Sequence, residues 1–283
     1  YGNTAGQRLA EHPDVNKVAF TGSTAIGRRI LAASEGNLKR LQLELGGKGP
    51  NIVFDDCDIT NAVNGSLFAI YHNQGQACIA GSRLIVHEKV VDEFVARFTA
   101  VAKTIRQGDP LDIETEMGPL ASRAHQAKVL EFCKLAKDSG QVVIGGAAPT
   151  EDRLSKGNFV LPTMVRATSD DLFFREEVFG PFVTLTTFKD EAEAIQLANS
   201  TRYGLGSGLW TNNLQRAHRV SREIRAGMVW INCYKRSTPG SPFGGVGESG
   251  YGRDLGLEVM HEYTYAKSYW VNYDHPIPAF YKR

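Results

Sequence analysis

The four cysteines are the strongest nucleophile candidates in this sequence, because a thiolate is both a nucleophile and a metal ligand. Their positions, 57, 78, 133 and 233, form no CxxC pair and no zinc-ligand spacing, so neither a disulfide framework nor a metal site is predicted. Cys78 follows Asn-Gln-Gly-Gln-Ala, residues that let the backbone approach a ligand and place amide donors nearby. Such surroundings favour a reactive thiolate, although a single free cysteine is more often a buried structural residue.

The other cysteines are poorer candidates. Cys57 stands among three aspartates, whose negative charge disfavours a thiolate. Cys133 lies on the apolar side of a predicted helix, and Cys233 ends a hydrophobic strand. Cys78 is therefore the predicted nucleophile.

A carboxylate at a strand end is the candidate general base. In the stretch 41–45, three leucines alternate with Gln42 and Glu44, so a strand places the two polar residues on one face. The flexible pair Gly46-Gly47 follows at once. Glu44 is interpreted as a base that opens onto this pair, and the alternative is a solvated carboxylate.

Three turns carry further binding candidates. Gly22 and Ser23 join a predicted strand to a predicted helix, where free N–H groups suit a phosphate, although an ordinary serine-capped helix explains them equally. The turn has neither the Walker nor the G-x-G-x-x-G pattern. Glu177 follows Glu176 and suits the two hydroxyls of a ribose, whereas Glu176 reads as surface charge. Phe243, in a glycine-bounded loop, suits a pocket wall or a core anchor.

Strand-like and helix-like segments alternate along the chain, which predicts an α/β fold. Strands are predicted over 17–20, 41–45, 51–54, 84–86, 142–144, 206–210 and 228–232, and helices over 25–33, 59–71, 88–105, 122–137, 190–199 and 213–225. The glycine-rich stretch 241–256 is predicted to be loop and tight turns.

Composition excludes several classes of partner. The 283 residues are 42% hydrophobic and 22% charged, with a net charge of +1, as in a soluble globular protein. No basic footprint for nucleic acid and no apolar run of membrane-spanning length is present. The first residues lack a signal-peptide pattern, so the cytoplasm is the expected compartment.

Taken together, five motifs resemble the aldehyde dehydrogenase superfamily in order and approximate spacing. They are Phe-Thr-Gly-Ser-Thr at 20–24, Leu-Glu-Leu-Gly-Gly-Lys at 43–48, Asn-Gln-Gly-Gln-Ala-Cys at 73–78, Glu-Val-Phe-Gly-Pro at 177–181 and Pro-Phe-Gly-Gly at 242–245. The resemblance implies the aldehyde dehydrogenase fold. Residues 1–46 would end a Rossmann-like cofactor domain, 47–248 would form an α/β catalytic domain, and 249–283 would return with an oligomerisation strand near 263–273.

The resemblance also implies an activity: oxidation of an aldehyde to a carboxylic acid with NAD or NADP. Cys78 would form a thiohemiacetal, hydride transfer to the cofactor would leave a thioester, and Glu44 would activate the hydrolysing water. The backbone N–H of Cys78 and an asparagine side chain would hold the oxyanion. The implied cofactor contacts are Gly22 and Ser23 at the pyrophosphate, Ile26 at the adenine, Leu45 at the nicotinamide, Glu177 at its ribose, Phe179 packing alongside, and His125 and Lys128 near the same ribose.

The resemblance gives less detail about the residues that bind the substrate. Ala77, Ile79 and Phe243 would line the pocket, and Lys235 and Arg236 fall in the substrate-entrance loop. Two cations there favour an anionic semialdehyde, whereas the alternative is that both point to solvent. Asp254 stands where many relatives carry a glutamate in a proton relay, and its shorter carboxylate puts that role in question.

Several features of the family lie outside this sequence. The partner asparagine, the lysine that contacts the adenosine ribose and the first strands of the nucleotide fold belong to an N-terminal half that is expected to be missing. Two alternatives stay open: an acylating dehydrogenase that passes the thioester to coenzyme A, and a non-catalytic structural homologue. The tail strand predicts a homodimer or homotetramer, with no nucleic-acid or membrane partner.

Overall fold

A computed structural model describes residues 1–281 and shows an α/β chain, as predicted. The strands are β1 (Lys17–Thr21), β2 (Arg40–Glu44), β3 (Pro50–Val53), β4 (Arg83–His87), β5 (Val142–Ile144), β6 (Thr163–Arg166), β7 (Phe182–Phe188), β8 (Gly206–Trp210), β9 (Met228–Ile231) and β10 (Gly250–Tyr251). The helices are α1 (Gln7–Glu11), α2 (Thr24–Ala33), α3 (Ile59–Tyr71), α4 (Val91–Ala102), α5 (Arg123–Asp138), α6 (Asp152–Ser155), α7 (Leu172–Arg175), α8 (Glu191–Ala198), α9 (Leu214–Glu223) and α10 (Glu258–Tyr263).

Side-chain caps define where five of the helices begin. A serine, aspartate or asparagine accepts a hydrogen bond from a backbone N–H of the first turn in α2, α3, α5, α8 and α9. These caps satisfy donors that the helix itself leaves without partners. The local sequence thus fixes the helix starts that follow β1, β3 and β8.

The larger sheet has seven strands in the order β5-β6-β7-β4-β3-β8-β9. All neighbours are parallel except β5, which runs antiparallel to β6. Ile52, Leu84 and Ile85 in its central strands are completely buried, as expected for a parallel sheet covered on both faces. This sheet is the rigid platform under the loops that carry Cys78 and Glu177.

The smaller sheet has β2 at its centre. β1 pairs with it in parallel, and β10 returns from the far end of the chain to pair with it antiparallel. Glu44, the last residue of β2, lies opposite Thr21 and Gly250 in this ladder. The chain changes sheets between β2 and β3, and the domain boundaries expected from the resemblance remain a prediction.

The structure differs from the sequence prediction in several elements, among them the short strand β10 inside the glycine-rich stretch 241–256. Strands β6 and β7 were not predicted, and the helix expected over 88–105 is limited to α4, because the preceding residues form a turn in which Val90 donates to the His87 carbonyl. Residues 264–273 lie exposed and outside the sheets of the described chain, so the oligomerisation strand remains a prediction. Within residues 1–281, every helix is too short or too polar to cross a bilayer.

Candidate active site

The loop that carries Cys78 begins with a strained turn at the end of α3. Asn73, Gln74 and Gly75 have φ angles of 55°, 56° and 69°, in the left-handed region that residues with side chains rarely adopt. A Cβ atom added to Gly75 would lie 2.0 Å from the carbonyl oxygen of Gly180. The nucleophile loop therefore rests directly on the turn that follows Glu177, and the strain is concentrated where chemistry is expected.

The pair Gly46-Gly47 crosses between Cys78 and Glu177. A Cβ atom on Gly47 would lie 2.2 Å from the carbonyl oxygen of Cys78, and one on Gly46 would lie 2.4 Å from Oε2 of Glu177. The N–H of Gly47 donates to Oε1 of Glu177 over 2.9 Å. The absence of side chains at this pair is what allows the end of β2 to approach both groups.

This crossing gives a first testable expectation. The substitution Gly47→Ala should lower kcat/KM for an aldehyde by roughly 10²-fold, because a displacement of about 1 Å at a reacting group has an effect of that size. Steady-state assays of the complete protein measure it. Gly36→Ala is the matched control, because a Cβ atom there meets nothing within 4 Å. Equal activity of the two variants would show that the crossing does not position Cys78.

Glu44 is buried, with only 3% of its surface exposed. Neither carboxylate oxygen has a hydrogen-bond partner among the described residues, and Oε1 lies 2.9 Å from the Cβ position of Gly244. Burial, and then the negative charge of Asp254, raise the pKa of Glu44 to about 8, against an opposing effect of Arg253. The solvated alternative is therefore wrong, because segments from the end of the chain cover the polar face of β2.

Cys78 is half-buried, and its thiol is protonated at neutral pH. Burial, followed by the charges of Glu177 and Glu44, raises the pKa of the thiol to about 11, while the amides of Ile79 and Cys78 act in the opposite direction. Burial thus favours the protonated thiol at rest, and the role of Cys78 as the nucleophile stays a prediction.

The residues beside Cys78 shape its surroundings. Ala77 and Ile79 are both half-buried, and Ala77 packs against the core under α3. Ile79 packs instead against a small cluster built around Trp230 and Tyr234. The residues on both sides of the candidate nucleophile are thus held by apolar packing.

The turn after β1 is joined to the candidate base. The N–H of Gly22 donates to the carbonyl oxygen of Glu44 over 3.0 Å, and Ser23 caps α2. Three residues of this turn and the first helical turn are exposed: Gly22, Ser23 and Ile26. Leu45 is buried and packs against α2 at Gly27, where an added Cβ atom would lie only 2.7 Å from the leucine side chain. The N-terminus of α2 is exposed to solvent and, although Ser23 caps the N–H of Ile26, its positive dipole end fits a phosphate.

The structure brings Glu177, Phe179, His125 and Lys128 together. Nε2 of His125 lies 2.6 Å from the carbonyl oxygen of Phe179, and the two rings meet edge to face at 5.9 Å. Phe179 itself has a φ of 58° and remains partly exposed. Burial raises the pKa of Glu177, while the Gly47 N–H and nearby cations, including Lys128, act in the opposite direction.

The two neighbouring acids have different partners. Glu176 forms an ion pair with Arg202, with 2.5 Å between Oε1 and Nη1, and this guanidinium lowers the pKa of Glu176. Glu177 instead turns inward to Gly47. The interpretation of Glu176 as a charge outside the site is consistent with this pairing.

Phe243 and Asp254 form an antiparallel backbone bridge in the C-terminal segment that covers β2. Their backbones exchange two hydrogen bonds of 2.7 and 2.8 Å, and the side chain of Gln42 donates to Oδ1 of Asp254. Asp254 therefore lies within electrostatic reach of Glu44. The candidate relay residue is thus partly buried near the buried candidate base.

Lys48 and Arg253 are site residues that the sequence analysis did not single out. The amino group of Lys48 is buried, and residues 1–281 offer it no hydrogen-bond partner; burial together with Arg83 lowers its pKa to about 7. Arg253 donates to the carbonyl oxygens of Gly245 and Gly252 and faces Glu44. The position of Lys48 directly after the glycine pair could have indicated that it lies near the site, whereas no sequence feature indicated this for Arg253.

Residues 1–269 match the Aldehyde dehydrogenase family, and the chain belongs to that family. It is 46% identical over 270 residues to an aldehyde dehydrogenase of Emericella nidulans, covering 95% of this chain and 54% of that protein. Thus the chain spans about half the length of the curated relatives it matches.

Two solved structures are similar to the whole fold. PnpE from Pseudomonas sp. WBC-3, in complex with nicotinamide adenine dinucleotide, is 60% identical with a TM-score of 0.98, covering 100% of this chain and 58% of that one. A betaine aldehyde dehydrogenase from Staphylococcus aureus in complex with NAD+ is 38% identical with a TM-score of 0.91, covering 93% and 53%. The predicted fold class is confirmed.

Proposed function

We propose that this chain carries the nucleophile and the general base of an NAD(P)-dependent aldehyde dehydrogenase of the hydrolytic type. The observation that supports this most directly is the crossing of Gly46-Gly47 between Cys78 and Glu177, immediately after the buried carboxyl group of Glu44. This approach supports a common site for the candidate nucleophile, base and ribose-binding residue, which are distant in sequence.

In the first step, Cys78 loses its proton and its sulfur forms a bond to the aldehyde carbon. The electron pair of the carbonyl π bond moves to oxygen, giving a thiohemiacetal. The thiol proton passes to solvent water, and the backbone N–H of Cys78 stabilises the oxyanion. Because burial holds the resting thiol protonated, attack depends on this proton transfer.

The cofactor site is proposed along the exposed turn after β1 and the cluster around Glu177. Gly22 and Ser23 would hold the pyrophosphate, Ile26 the adenine, and Glu177 the nicotinamide ribose, with Leu45, Phe179, His125 and Lys128 completing the nicotinamide end. When bound, NAD(P)+ supplies the hydride acceptor for the oxidation. NAD+ is the cofactor present in the two similar structures.

In the last step, Glu44 takes a proton from a water molecule, and the resulting hydroxide adds to the thioester carbon. The carbon–sulfur bond then breaks, releasing the carboxylic acid, and Cys78 recovers a proton. Asp254, hydrogen-bonded to Gln42 near Glu44, would pass the water-derived proton onward. A base whose pKa is about 8 suits this step, because it accepts and releases protons near neutrality.

One assay separates this function from its alternatives. The complete protein with NAD+, NADP+ and a series of aldehydes should form reduced cofactor, measured by absorbance, and an equal amount of free carboxylic acid. Turnover that requires coenzyme A and yields an acyl-CoA would instead establish an acylating enzyme. A pure, folded protein that oxidises no aldehyde would support the structural alternative.

The tail is proposed to join subunits into a homodimer or homotetramer. Tyr265, Tyr269, Trp270 and Tyr273 are each at least 75% exposed, a large aromatic surface for an uncovered segment. The mass of the complete protein in solution, from light scattering, tests this. The cytoplasm is the proposed compartment, since all four cysteines are free thiols.

A further inference from the structure

Four charged side chains connect the turn before α2 with the turn that carries Glu177. Nη2 of Arg28, in α2, lies 2.7 Å from Oε1 of Glu248. Oε2 of Glu248 is inaccessible to solvent and forms an ion pair of 2.7 Å with Nε of Arg202. Arg202 in turn donates to both oxygens of Glu176, over 2.5 and 2.7 Å. Cations and anions alternate along these four residues, which together form an ionic bridge.

One end of the ionic bridge holds the beginning of α2. Thr24 and Arg28 lie one helical turn apart and therefore project from the same face of the helix. Oγ1 of Thr24 donates to the backbone carbonyl of Glu248 over 3.0 Å, while Arg28 holds the carboxylate of the same residue. Since α2 begins directly after Ser23, this pair of contacts fixes the turn proposed for the pyrophosphate.

The other end holds the residues around Glu177. Arg202 pairs with Glu176, the residue directly before Glu177. It also donates to the hydroxyl of Tyr203 over 2.9 Å, and its guanidinium carbon lies 4.7 Å from the centre of that ring. A Cβ atom on Gly46 would lie 3.3 Å from Cε1 of Tyr203 and 2.4 Å from Oε2 of Glu177. The ring and the ribose-binding candidate thus lie against the same glycine.

Backbone contacts support the centre of the ionic bridge. The N–H of Glu248 donates to the carbonyl oxygen of Arg202 over 3.1 Å, and the N–H of Val246 donates to that of Gly204 over 2.9 Å. Gly247, between them, has a φ of 61°, and a Cβ atom there would lie 2.9 Å from the Arg202 carbonyl oxygen. A single exposed ion pair contributes little, whereas a network with a bidentate arginine–carboxylate pair has a defined geometry.

The two cations of the substrate-entrance loop lie outside the ionic bridge. Nζ of Lys235 is inaccessible to solvent, whereas Arg236 is exposed. The expectation that both point to solvent is therefore wrong for Lys235 and correct for Arg236. Among the described residues neither forms an ion pair with Glu176 or Glu248, whose cationic partners are the arginines of the bridge itself.

We propose that Glu248 and Arg202 are positioning residues that set the separation between the pyrophosphate end and the ribose end of the cofactor site. This inference rests on the proposed function and adds two residues that act through Ser23 and Glu177. NAD+ must engage both ends at once, so an error in their separation weakens its binding even where each end is intact. The reaction at Cys78 follows once the cofactor is held, so kcat at saturation changes little.

Two variants of opposite charge test the ionic bridge in the complete protein. Glu248→Gln removes its inner anion, and Arg202→Met removes its inner cation. Each should raise the Kd of NAD+, followed by quenching of protein fluorescence, at least fivefold, while kcat at saturating NAD+ stays within about threefold of wild type. Because the two residues act as one unit, the double variant should bind NAD+ no more than about twofold more weakly than the weaker single variant.

ADP separates positioning from damage to one end of the site, because it fills only the adenine and pyrophosphate end. Its Kd, measured by calorimetry, should stay within about twofold of wild type in both variants. Glu93→Gln is the matched control, since it breaks an exposed carboxylate–arginine pair on α4, and it should leave the Kd of both ligands within about twofold. Arg202→Lys keeps the charge without the bidentate pair, so its Kd for NAD+ should be intermediate, and it gives a second reading if Arg202→Met does not fold.

The outcomes separate the positioning role from the proposed function. If the wild-type protein oxidises aldehydes but both variants keep the wild-type Kd of NAD+ within about twofold, the positioning role is refuted and the proposed function stands. Changes of Kd in opposite directions would show an effect of net charge on the anionic cofactor and would refute it as well. An equal loss of ADP and NAD+ would show local damage to the turn before α2, with the same consequence. If the wild-type protein neither binds NAD+ nor oxidises an aldehyde, both proposals fail together.

Discussion

Replacing Cys78 with alanine should reduce kcat for aldehyde oxidation by roughly 10³-fold or more, because losses of this size follow removal of a covalent nucleophile. The thiol is the group to which the aldehyde carbon bonds, and neither Ala77 nor Ile79 offers a replacement. Reduced-cofactor absorbance measures the loss. Binding of NAD+, followed by quenching of protein fluorescence, should remain within about threefold of the wild-type affinity.

Cys57→Ala is the matched control for this loss. Cys57 is also half-buried, and burial with the nearby charge of Asp56 raises the pKa of its thiol to about 11, the same value as for Cys78. The two thiols thus differ in location rather than in acidity. Comparable losses in both variants, or a Cys78→Ala variant with wild-type turnover, would remove Cys78 from the mechanism.

The thiol pKa adds a second check on the same residue. Because the resting thiol is protonated at neutral pH, alkylation of Cys78 by iodoacetamide should be slow at pH 7 and should accelerate as pH rises toward 11. Peptide mass spectrometry follows the site. Alkylation already at its maximal rate at pH 7 would mean that neither burial nor the nearby acidic groups raise the pKa of the thiol.

A site residue could be predicted from the sequence when its position depends on neighbouring residues, and not when it depends on residues far along the chain. The alternation of β2 and the glycine pair after it predicted the position of Glu44, because side-chain direction in a strand follows from spacing alone. The burial of Glu44 was not predictable, since its cover comes from Gly244 and Arg253 far along the chain. The raised pKa of the Cys78 thiol was not predictable either, because its burial and the nearby Glu44 and Glu177 depend on segments that are distant in sequence.

Other misses had different causes. Strand β7 carried a readable signal, aromatic and β-branched residues after Pro181, so its absence from the prediction was an omission rather than a limit. By contrast, nothing in the order of Lys235 and Arg236 indicates which one turns inward. That choice is made by the packing of Tyr234 and by the positive φ of Lys235.

Glu44→Gln should stop the reaction after one turnover. Without a base to activate water, the thioester persists, so reduced cofactor should appear in a burst of about one equivalent per site, followed by a steady rate roughly 10²- to 10³-fold below wild type. Rapid mixing with absorbance detection measures burst and steady rate. Hydroxylamine should trap the accumulated acyl group as a hydroxamate.

The pKa of Glu44 sets the pH dependence of the wild-type enzyme. With a pKa of about 8, about a tenth of the carboxyl groups are ionised at pH 7, so kcat should rise with pH and level off above about pH 8 if deacylation limits turnover. In Glu44→Gln this rise should disappear. A wild-type profile that is flat between pH 6 and 9, together with an unchanged profile in the variant, would contradict the assignment of the base.

The same burial that tunes Glu44 should make it destabilising at alkaline pH. A carboxyl group whose pKa is higher in the folded state contributes stability below the unfolded value of 4.5 and loses it as pH rises through about 8. Glutamine does not titrate, so at pH 9 Glu44→Gln should raise the free energy of unfolding by about 1–3 kcal/mol relative to its effect at pH 4. Chemical denaturation at both pH values measures this difference. A variant that is less active yet more stable at high pH would show that Glu44 is retained for catalysis at a cost in stability, whereas a pH-independent difference would mean that the carboxyl group titrates as if exposed.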